Sequence, residues 1–480
     1  MLEKFAQFFK EPPVKEPIQD PEQVKSMYSH WRLRIFYACF IGYTIFYLCK
    51  KNIAVALPGI MDEFGYSATE LGLLGSSLYL TYGIGKFVNG VLADGSDVRK
   101  FFPTALLMTA IANILFALAP NFVNMLGLDP KMTAIVLLWV LAFLWGVSGW
   151  FQSAGFPAVA KSLTYWYSNS ERGTKWSLWS CSHQTGTFLS FILAGHIAAH
   201  FGWRAAFLVP GTLAVITALW LFERLRDRPQ SLGLPDVEVY REEPVKEKSA
   251  EEQKAEDDMS YVQIFKKYVL CNKTLWLLAI AYVFVYIIRF GAEDWMIMYL
   301  KNAKNIELQD ATNMIASLPL VGICGTVCAG LISDKLFKGK RAPVNLIYLI
   351  GVIFAIIALK FNTIANLNYV IIGLLGAFTY GPQMMIGGLC AVESSSKKVA
   401  SAASGFTGTF GYIGAFLSAT GTGYLVDKLG SNGNQNWDGA IYFWLASGII
   451  CLIICSILAI DEYKKDAKKA LSKELQATSF

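Results

Sequence analysis

The sequence is poor in charge. Only 16% of its 480 residues are Asp, Glu, Lys or Arg, whereas soluble globular proteins carry about 25%. Long apolar stretches hold almost none of these charges, for example at 35–49, 71–91, 134–150, 276–288 and 442–460. Helices buried in a large soluble protein would show polar stripes at helical spacing, and most of these stretches lack one. We therefore expect a membrane protein.

The sequence also has few groups that could carry covalent or metal chemistry. It contains four histidines, and its nine cysteines are scattered, mostly through apolar stretches. No spacing indicates a disulfide framework or a metal site, and no nucleophile or paired-carboxylate site is evident. We expect no enzyme, no cofactor, no metal and no nucleic-acid partner. The first 34 residues are polar and contain four prolines, unlike a cleavable signal peptide.

Twelve apolar segments have about the length that a bilayer-spanning helix needs, which is roughly 20 residues. The lipid bilayer is therefore an expected partner, and we predict an all-α membrane protein with twelve transmembrane helices. The segments are 35–57, 71–93, 103–120, 133–160, 174–200, 204–222, 274–300, 311–333, 342–360, 369–392, 400–426 and 440–460.

Lysine and arginine are distributed unevenly over the loops. They are concentrated before the first segment, in every second loop and after the last segment, whereas the intervening loops hold few. The positive-inside rule then places both termini in the cytoplasm, with the protein crossing the cell inner membrane many times. Termini on the same side require an even number of helices, which is consistent with twelve.

An internal repeat divides the chain. A Gly-x-x-x-Asp pattern followed by basic residues occurs after the second segment and again after the eighth, as Gly90, Asp94 and Arg99 and as Gly330, Asp334 and Arg341. The glycines and the aspartates are each 240 positions apart (330 − 90, 334 − 94), and the cations Lys50 and Arg289 are 239 apart (289 − 50). Two features at nearly one offset indicate a duplicated six-helix unit.

The repeat predicts five regions along the chain. They are an N-terminal cytoplasmic tail over 1–34, a six-helix bundle over 35–222, a cytoplasmic linker over 223–273, a second bundle over 274–460 and a tail over 461–480. Residues 223–260 are charged and low in hydrophobicity, so we expect that part of the linker to be solvated.

The repeated loop resembles the loop motif of the major facilitator superfamily, whose fold consists of two six-helix halves with a central site. Each aspartate could accept hydrogen bonds from a helix N-terminus or from basic residues at the same face. We therefore predict gating or structural roles for Asp94, Arg99, Asp334 and Arg341, and also for Asp294 in the seventh segment.

Ionisable residues inside the apolar segments are the main candidates for a substrate site, because each costs about 2.5–3.5 kcal/mol to insert. They are Lys50 and Lys51, Lys86, His183 and Arg289, with Glu293 and Asp294 about one turn beyond Arg289. The repeat would bring Lys50 and Arg289 to opposite sides of one central cavity. Two cations with few anions nearby would attract a doubly charged oxyanion such as phosphate.

Each candidate also has a structural interpretation. Lys51 could snorkel or cap another helix, Lys86 could pair with an acid at the cavity mouth, and His183 could be a satisfied packing residue or could titrate together with a phosphate. Arg289 could be neutralised by Asp294, although a five-residue spacing is not a favourable same-face pair. The hydroxyls expected to contact a sugar or glycerol moiety belong to Tyr43, Tyr47, Tyr286, Tyr380 and Tyr412.

At these residues the chain resembles the organophosphate:phosphate antiporters, which include glycerol-3-phosphate and hexose-6-phosphate transporters. The matching motifs include Gly42-Tyr43 through Lys51-Asn52, Tyr82-Gly-Ile-Gly-Lys86-Phe, Trp179 through His183, Val285-Tyr-Ile-Ile-Arg289 and Tyr380-Gly-Pro-Gln383. The resemblance implies that Lys50 and Arg289 bind phosphate and that His183 assists. It also implies exchange of a phosphorylated sugar, hexose 6-phosphate above all, for inorganic phosphate.

The chain differs from the family pattern at two places and resembles one subgroup at a third, and all three bear on the substrate. The family usually has arginine at the position of Lys50, and its enteric hexose-phosphate transporters place an aspartate and a lysine where this chain has Ser404 and Thr407. Residues 225–235 look closest to the hexose-phosphate sensor subgroup. A membrane sensor with a signalling partner and a glycerol 3-phosphate antiporter therefore remain alternatives. A proton symporter would need a buried carboxylate in a helix, and the N-terminal half offers none.

Overall fold

The structure is a computed structural model that describes residues 7–242, 266–337, 340–391, 394, 400–429 and 436–477, except the side chains of a few residues within those ranges. Over these residues the chain is helical apart from turns, irregular connecting segments such as 11–20, and one isolated bridge between Lys10 and Ser96. The helices begin at good caps. Asp20 accepts from the backbone N–H of Glu22 at 3.1 Å just before Pro21, and Ser67 forms a capping box with Glu70.

Six long helices cover the first half of the described chain. They are α1 (Pro21–Phe64), α2 (Ala68–Asp94), α3 (Val98–Asn124), α4 (Pro130–Gln152 and, after a two-residue break, Gly155–Trp166), α5 (Asn169–Leu189, a π-helical turn at Ser190–Ala194, then Gly195–Phe201) and α6 (Ala205–Arg224).

Six more follow in the second half. They are α7 (Lys273–Lys304), α8 (Leu308–Leu331 with a π-helical turn at Ile332–Leu336), α9 (Ala342–Phe361), α10 (Leu367–Met384 with a π-helical turn at Met385–Cys390), α11 (Ala400–Lys428) and α12 (Asp438–Ala477).

Each of the twelve predicted segments coincides with one of these helices to within about two residues over the described chain, so the prediction of an all-α fold is confirmed. Among the described residues, nine helices are long and apolar enough to cross a membrane by length and composition. The remaining three, α2, α5 and α11, are long enough but carry more glycine and polar residues. Such residues are typical of helices that line a cavity rather than lipid.

The chain forms two compact units. Unit 1 contains the described residues of 1–254 together with Asp294–Ala316 and Ala419–Asp427, and unit 2 contains the described residues of 255–293, 317–418 and 428–480. The division passes through α7 between Glu293 and Asp294, so these neighbouring acids belong to different units. It also assigns the last part of α11 to unit 1.

In unit 1, the segment after α6 is buried rather than solvated, and our expectation for the start of the linker is wrong. Leu225, Leu234 and Val237 are at most 2% exposed and belong to a cluster that also contains Tyr28 and Trp166. Apolar residues spaced among the charges of this segment therefore fix it to the helix ends. The rest of the predicted solvated region, 243–260, lies outside the described residues.

The segment before α1 packs on this buried stretch. The backbone N–H of Ile18 donates to the carbonyl of Gly233 at 2.9 Å, and that of Lys15 donates to Gln230 at 3.0 Å. Gly233 has φ +80°, and a Cβ there would lie 2.6 Å from the carbonyl oxygen of Glu16. We call residues 8–18 together with 225–240 the cap segment. It covers the end of unit 1 at which α1 begins.

Paired glycines make close helix crossings in each unit. In unit 1, a Cβ on Gly149 of α4 would lie 2.5 Å from the carbonyl oxygen of Leu78 on α2. In unit 2, a Cβ on Gly376 of α10 would lie 2.1 Å from the carbonyl oxygen of Leu318 on α8. Each glycine follows another three positions earlier in its helix. Small residues at these positions allow the backbones to touch.

Candidate substrate site

Three consecutive polar residues on α1 point in different directions, because neighbouring residues of a helix are about 100° apart. Lys50, Lys51 and Asn52 are all buried, with at most 3% exposure. The Asn52 amide donates to the Asn113 side chain at 2.9 Å and to the carbonyl of Ala206 at 3.0 Å. These bonds tie α1 to α3 and α6 and fix the rotation of α1, which sets where the two lysines point.

Lys50 points at aromatic faces. Its Nζ lies 4.0 Å from the centroid of the Tyr82 ring and 5.2 Å from that of the Tyr47 ring. A desolvated ammonium is stabilised over such rings by cation–π attraction. Tyr82 was not among the predicted site residues.

Lys51 is part of a buried ion pair in unit 1. Its Nζ lies 2.8 Å from Oδ1 of Asp294 and 3.5 Å from the Tyr79 hydroxyl, and Tyr79 donates to the other oxygen of Asp294. Lys51 is fully buried and Asp294 is 6% exposed. The Asp294 carboxylate is thus satisfied by an ammonium and a phenol. Lys51 is thus paired with an acid of the chain, which differs from the snorkelling or helix capping considered from the sequence.

A row of aromatic side chains connects Lys50 to His183. The Tyr47 ring centroid is 5.6 Å from that of His183 and 5.5 Å from that of Tyr43, whose ring lies 4.8 Å from Trp179. The close approach of α5 to α1 explains this grouping, since a Cβ on Gly186 would lie 2.4 Å from the carbonyl oxygen of Thr44. His183 is half-buried. The structure therefore brings the predicted α1 and α5 residues together.

Lys86 on α2 is half-buried. Its Nζ lies 5.5 Å from the ring centroid of Phe156 on α4. Lys86 follows Tyr82 by one helical turn, so both side chains lie on the same side of α2. A cation at this position extends the face that Lys50 and Tyr82 form.

In unit 2, Arg289 is paired with an acid on its own helix. Its Nε lies 2.8 Å from Oε1 of Glu293, and the Tyr380 hydroxyl donates to that same oxygen at 2.6 Å. Arg289 is 4% exposed and Glu293 is fully buried. The pairing with Asp294 considered from the sequence is wrong, because residues four apart share a helix face whereas residues five apart do not. The expectation of few anions near Arg289 is also wrong.

Aromatic rings surround the Arg289 guanidinium. Its Cζ lies 5.0 Å from the Phe290 ring centroid, 5.2 Å from that of Tyr380 and 5.7 Å from that of Tyr286. The Tyr286 ring is in turn 5.9 Å from that of Tyr412 on α11. The structure therefore brings together the predicted residues of unit 2, with phenol groups next to the cation as on Lys50.

Of the predicted gating residues in the two repeated loops, the structure describes the side chains of Arg99 and Arg341. The side chains of Asp94 and Asp334 lie outside the described residues. Arg99 donates from Nε to the carbonyl of Phe222 at 2.8 Å, at the end of α6. Arg341 donates to the Ser333 hydroxyl at 2.8 Å. It also lines a cavity of about 500 Å³ in unit 2 together with Asp461 and Glu462.

A buried charge cluster at the α2–α3 loop was missed by the sequence analysis. Asp227 accepts from the backbone N–H of Val98 at 2.9 Å, and its Oδ1 lies 3.4 Å from the Lys161 Nζ. Lys161 is also 2.6 Å from Glu11 of the cap segment. Desolvation raises the pKa of Asp227 above its usual range and likewise raises the pKa of Asp97, despite the nearby cations. The cluster joins α3, α4 and the cap segment.

Tyr79 and Tyr82 are site residues that sequence reasoning did not select, and Glu293 was noted there without a role. A signal existed for Glu293, since a four-residue spacing from Arg289 is the spacing of a helical ion pair. The two tyrosines lie in an apolar helix next to the Tyr-Gly-Ile-Gly-Lys motif. Their roles depend on which side chains other helices bring to them, which the spacing on α2 does not reveal.

Comparison with known proteins identifies a matching family and similar relatives. Residues 39–419 match the Major Facilitator Superfamily. A protein named "Probable hexose phosphate transport protein" from Chlamydia muridarum is 40% identical over 458 residues, covering 94% of this chain and 95% of the relative. The "Membrane sensor protein UhpC" of Escherichia coli is 34% identical over 454 residues, covering 94% of this chain and 98% of the relative.

A third relative and a solved structure agree with this. The "Glycerol-3-phosphate transporter" of Bacillus subtilis is 35% identical over 454 residues, covering 94% of this chain and 97% of the relative. The crystal structure of a bacterial homolog of the human lysosomal transporter Spinster superposes with a TM-score of 0.68 at 16% identity, covering 89% of this chain and 95% of that one. The second similarity concerns the fold alone.

Proposed function

Because this chain belongs to the major facilitator superfamily and, within it, to the organophosphate:phosphate antiporter branch, we propose that it exchanges hexose 6-phosphate for inorganic phosphate by alternating access. The chain is a multi-pass membrane transporter and not an enzyme. The exchange, the sugar and the roles of individual residues are our proposals. So are the cell inner membrane, the cytoplasmic termini and the two bundles at 35–222 and 274–460.

One observation carries the proposal. At equivalent positions of the sequence repeat, Lys50 and Arg289 are both buried cations whose neighbours are tyrosine rings. Buried charge is expensive, and cations kept in a transmembrane helix mark a path for an anion. A guanidinium binds two phosphate oxygens at once, and an ammonium adds a point charge. Both cations therefore suit the phosphoryl group that the two substrates share.

The remaining predicted residues complete this scheme. His183 lies beside Tyr47 next to Lys50, and a half-buried histidine can follow the charge of a phosphate group. The hydroxyls of Tyr43, Tyr47, Tyr286, Tyr380 and Tyr412 provide donors for a sugar. Lys86, one turn from Tyr82, extends the positive face along α2. No covalent bond changes during transport, so binding and conformational exchange suffice.

Obligatory exchange follows from the charges. An empty transporter would bury the Lys50 ammonium without a substrate anion, which raises the free energy of the closed intermediate. Bound phosphate lowers that free energy, so the transporter changes conformation mainly when it is loaded. Lys51, paired with Asp294 on α7, serves in this proposal as part of a gate that opens and closes during the cycle, rather than as a phosphate ligand.

A sensor is the second candidate function. Similarity to a protein named a membrane sensor favours it. The cap segment also favours it, because this packed segment gives the end of unit 1 at which α1 begins a fixed surface that a partner could bind. A sensor would bind sugar phosphate but transport it slowly, and a signalling partner would contact the loops. A glycerol 3-phosphate antiporter remains a third candidate, because a relative carries that name.

Counterflow in proteoliposomes tests the proposal. Vesicles holding the purified protein are loaded with labelled phosphate, and efflux is followed after adding glucose 6-phosphate, glycerol 3-phosphate, phosphate or buffer outside. Efflux that requires an external phosphate compound and is fastest with glucose 6-phosphate supports the proposal. Specific binding of glucose 6-phosphate without stimulated efflux would establish the sensor instead. Unchanged exchange in correctly inserted Arg289→Ala would refute the assigned site.

A further inference from the structure

The proposed function leaves one buried acid without a role. Glu293 is fully buried, and its Oε1 accepts from Arg289 Nε at 2.8 Å and from the Tyr380 hydroxyl at 2.6 Å. A carboxylate in such surroundings needs a cation and hydrogen bonds. Its cation is the same arginine to which we assign phosphate binding. Glu293 and the substrate therefore require the same guanidinium.

We propose that Glu293 is an internal counter-anion of Arg289 that phosphate displaces, and that the displaced carboxylate takes up one proton. This inference rests on the proposed function, because it concerns the same arginine. It would make Glu293 the residue that couples substrate loading to protons. The proton comes from water and bonds to a carboxylate oxygen, and no bond of the substrate forms or breaks.

The geometry gives the physical reason for displacement. A guanidinium grips an oxyanion with pairs of parallel N–H groups, and Nε belongs to one of these pairs. Glu293 occupies Nε in the structure, so a phosphate gripping that edge must take its place. The carboxylate would then be buried beside a dianion with its cation removed. Like charges at such distances do not both stay ionised in a buried site, whereas a protonated carboxyl group can donate to Tyr380 or to phosphate.

Other titratable groups nearby do not compete for this role. Among the described contacts, Arg289 on α7 and Tyr380 on α10 bond to Glu293, and Asp294 follows it in the chain. Tyr286 lies against the Arg289 guanidinium, and Tyr412 on α11 lies against Tyr286. Asp294 is held by Lys51 and Tyr79 within unit 1, and its cation is not one that we assign to substrate. From α12, Trp444 packs at Gly291 and does not titrate. The carboxylate whose cation the substrate claims is therefore Glu293.

The test measures phosphate binding and proton uptake together. Inorganic phosphate is titrated calorimetrically into the purified full-length protein at about pH 8, where phosphate is mainly dianionic. The titration is repeated in two buffers of different protonation enthalpy, which counts the protons taken up. Wild type is compared with Glu293→Gln, which keeps the shape and can accept from Nε without charge. Glu307→Gln, an exposed acid before α8, is the control.

We expect Glu293→Gln to bind phosphate about tenfold more tightly than wild type. Without the carboxylate, phosphate does not have to break the Arg289–Glu293 ion pair before it binds the guanidinium. Its proton uptake should be one less per phosphate, and Glu307→Gln should match wild type in both respects. Weaker binding by Glu293→Gln would overturn the proposal and make Glu293 a residue that positions Arg289. Equal proton uptake would overturn the coupling.

A second variant covers the case in which Glu293→Gln does not fold. Glu293→Asp shortens the acid by one methylene, so it loosens the ion pair and retains a proton acceptor. Tighter phosphate binding with proton uptake kept supports the proposal, and weaker binding overturns it. Wild type that binds no phosphate would instead contradict the proposed function, so the two failures are distinguishable.

Discussion

Lys51 on α1 and Asp294 on α7 form a buried ion pair, with 2.8 Å between Nζ and Oδ1. The preceding residue of α1, Lys50, points instead at the ring of Tyr82. Two adjacent lysines of the same helix therefore have different neighbours. One is bound to an acid of the chain, and the other lies against tyrosine rings.

Removing one partner of this ion pair should be more harmful than removing both. Lys51→Met leaves Asp294 buried without its ammonium, and such losses cost about 3–5 kcal/mol. We expect a clearly lower thermal midpoint in detergent and almost no phosphate exchange. Lys51→Met with Asp294→Leu should recover most of the midpoint, because an apolar pair of similar volume carries no unsatisfied charge.

The same double variant distinguishes stability from gating. If the ion pair only holds the fold together, the double variant should transport once its midpoint is restored. If the pair is part of the gate, as we propose, exchange should stay low although the protein is stable. A single variant with unchanged midpoint and exchange would show that neither role applies.

Lys50 should tolerate replacement by arginine but not by a neutral residue. Lys50→Arg keeps the cation and adds a second pair of N–H donors, so we expect exchange with an apparent affinity within about tenfold of wild type. Lys50→Gln removes the charge and should reduce exchange by at least about a hundredfold. The measurement is the concentration dependence of phosphate:phosphate exchange.

The result for Lys50→Gln decides whether Lys50 belongs to the phosphate site. Full exchange by Lys50→Gln would remove this residue from the phosphate site and leave Arg289 as the main cation. Lys86→Gln provides the comparison, because it removes one positive charge on α2 without touching the rings that hold Lys50.

The cap segment should depend on Gly233. Gly233→Ala introduces a side chain at φ +80° that would meet the Glu16 carbonyl at 2.6 Å, so it combines backbone strain with a collision. Gly65→Ala is the matched control, since Gly65 has φ +67° and a Cβ there would have nothing within 4 Å. Backbone strain alone costs about 1–2 kcal/mol. We expect Gly233→Ala to lower the thermal midpoint more than Gly65→Ala; equal effects would mean that the cap segment yields without cost.

The stability of wild type relative to Asp227→Asn should increase as pH falls. Burial raises the pKa of Asp227 in the folded protein, even with Lys161 3.4 Å away, because desolvation outweighs the cation. The folded state thus holds this proton to higher pH than the unfolded chain does. The stability that the group contributes is complete below the unfolded pKa of about 3.9 and is lost as pH rises through the folded pKa.

The check is the thermal midpoint of wild type minus that of Asp227→Asn, measured from about pH 4 to about pH 7. We expect this difference to fall as pH rises. A difference that rises would mean that Lys161 and Arg228 stabilise the carboxylate more than burial opposes it. Asp97→Asn should show the same direction, since burial also raises the pKa of Asp97.

Helices and candidate cations could be predicted because both depend on local sequence. Twelve apolar segments gave twelve helices, and buried ions such as Lys50 and Arg289 stand out against an apolar background. The cap segment could not be predicted from its composition. Its charges, for example Arg226 and Arg228, conceal the spaced apolar residues Leu225, Leu234 and Val237, which are buried only because α1 and α4 supply a surface for them.

The ion-pair partners of the buried cations were also not predicted correctly, for a different reason. Whether Arg289 meets Glu293 or Asp294 follows from helix geometry, so the correct partner was available from the sequence. Whether Lys51 meets Asp294 was not, because 243 positions separate them. The pairing requires the folded arrangement of α1 and α7 within unit 1.

The glycine crossings limit how the transporter can change over generations. Almost any side chain at Gly149 or Gly376 would strike the backbone of a neighbouring helix, so α2 with α4 and α8 with α10 can vary only at their other faces. Tyr82 and Lys86 on α2, and Tyr380 on α10, lie on the same helices. Selection for a new sugar can therefore replace the side chains on the other faces of these helices while the two crossings keep each helix pair packed in the same way.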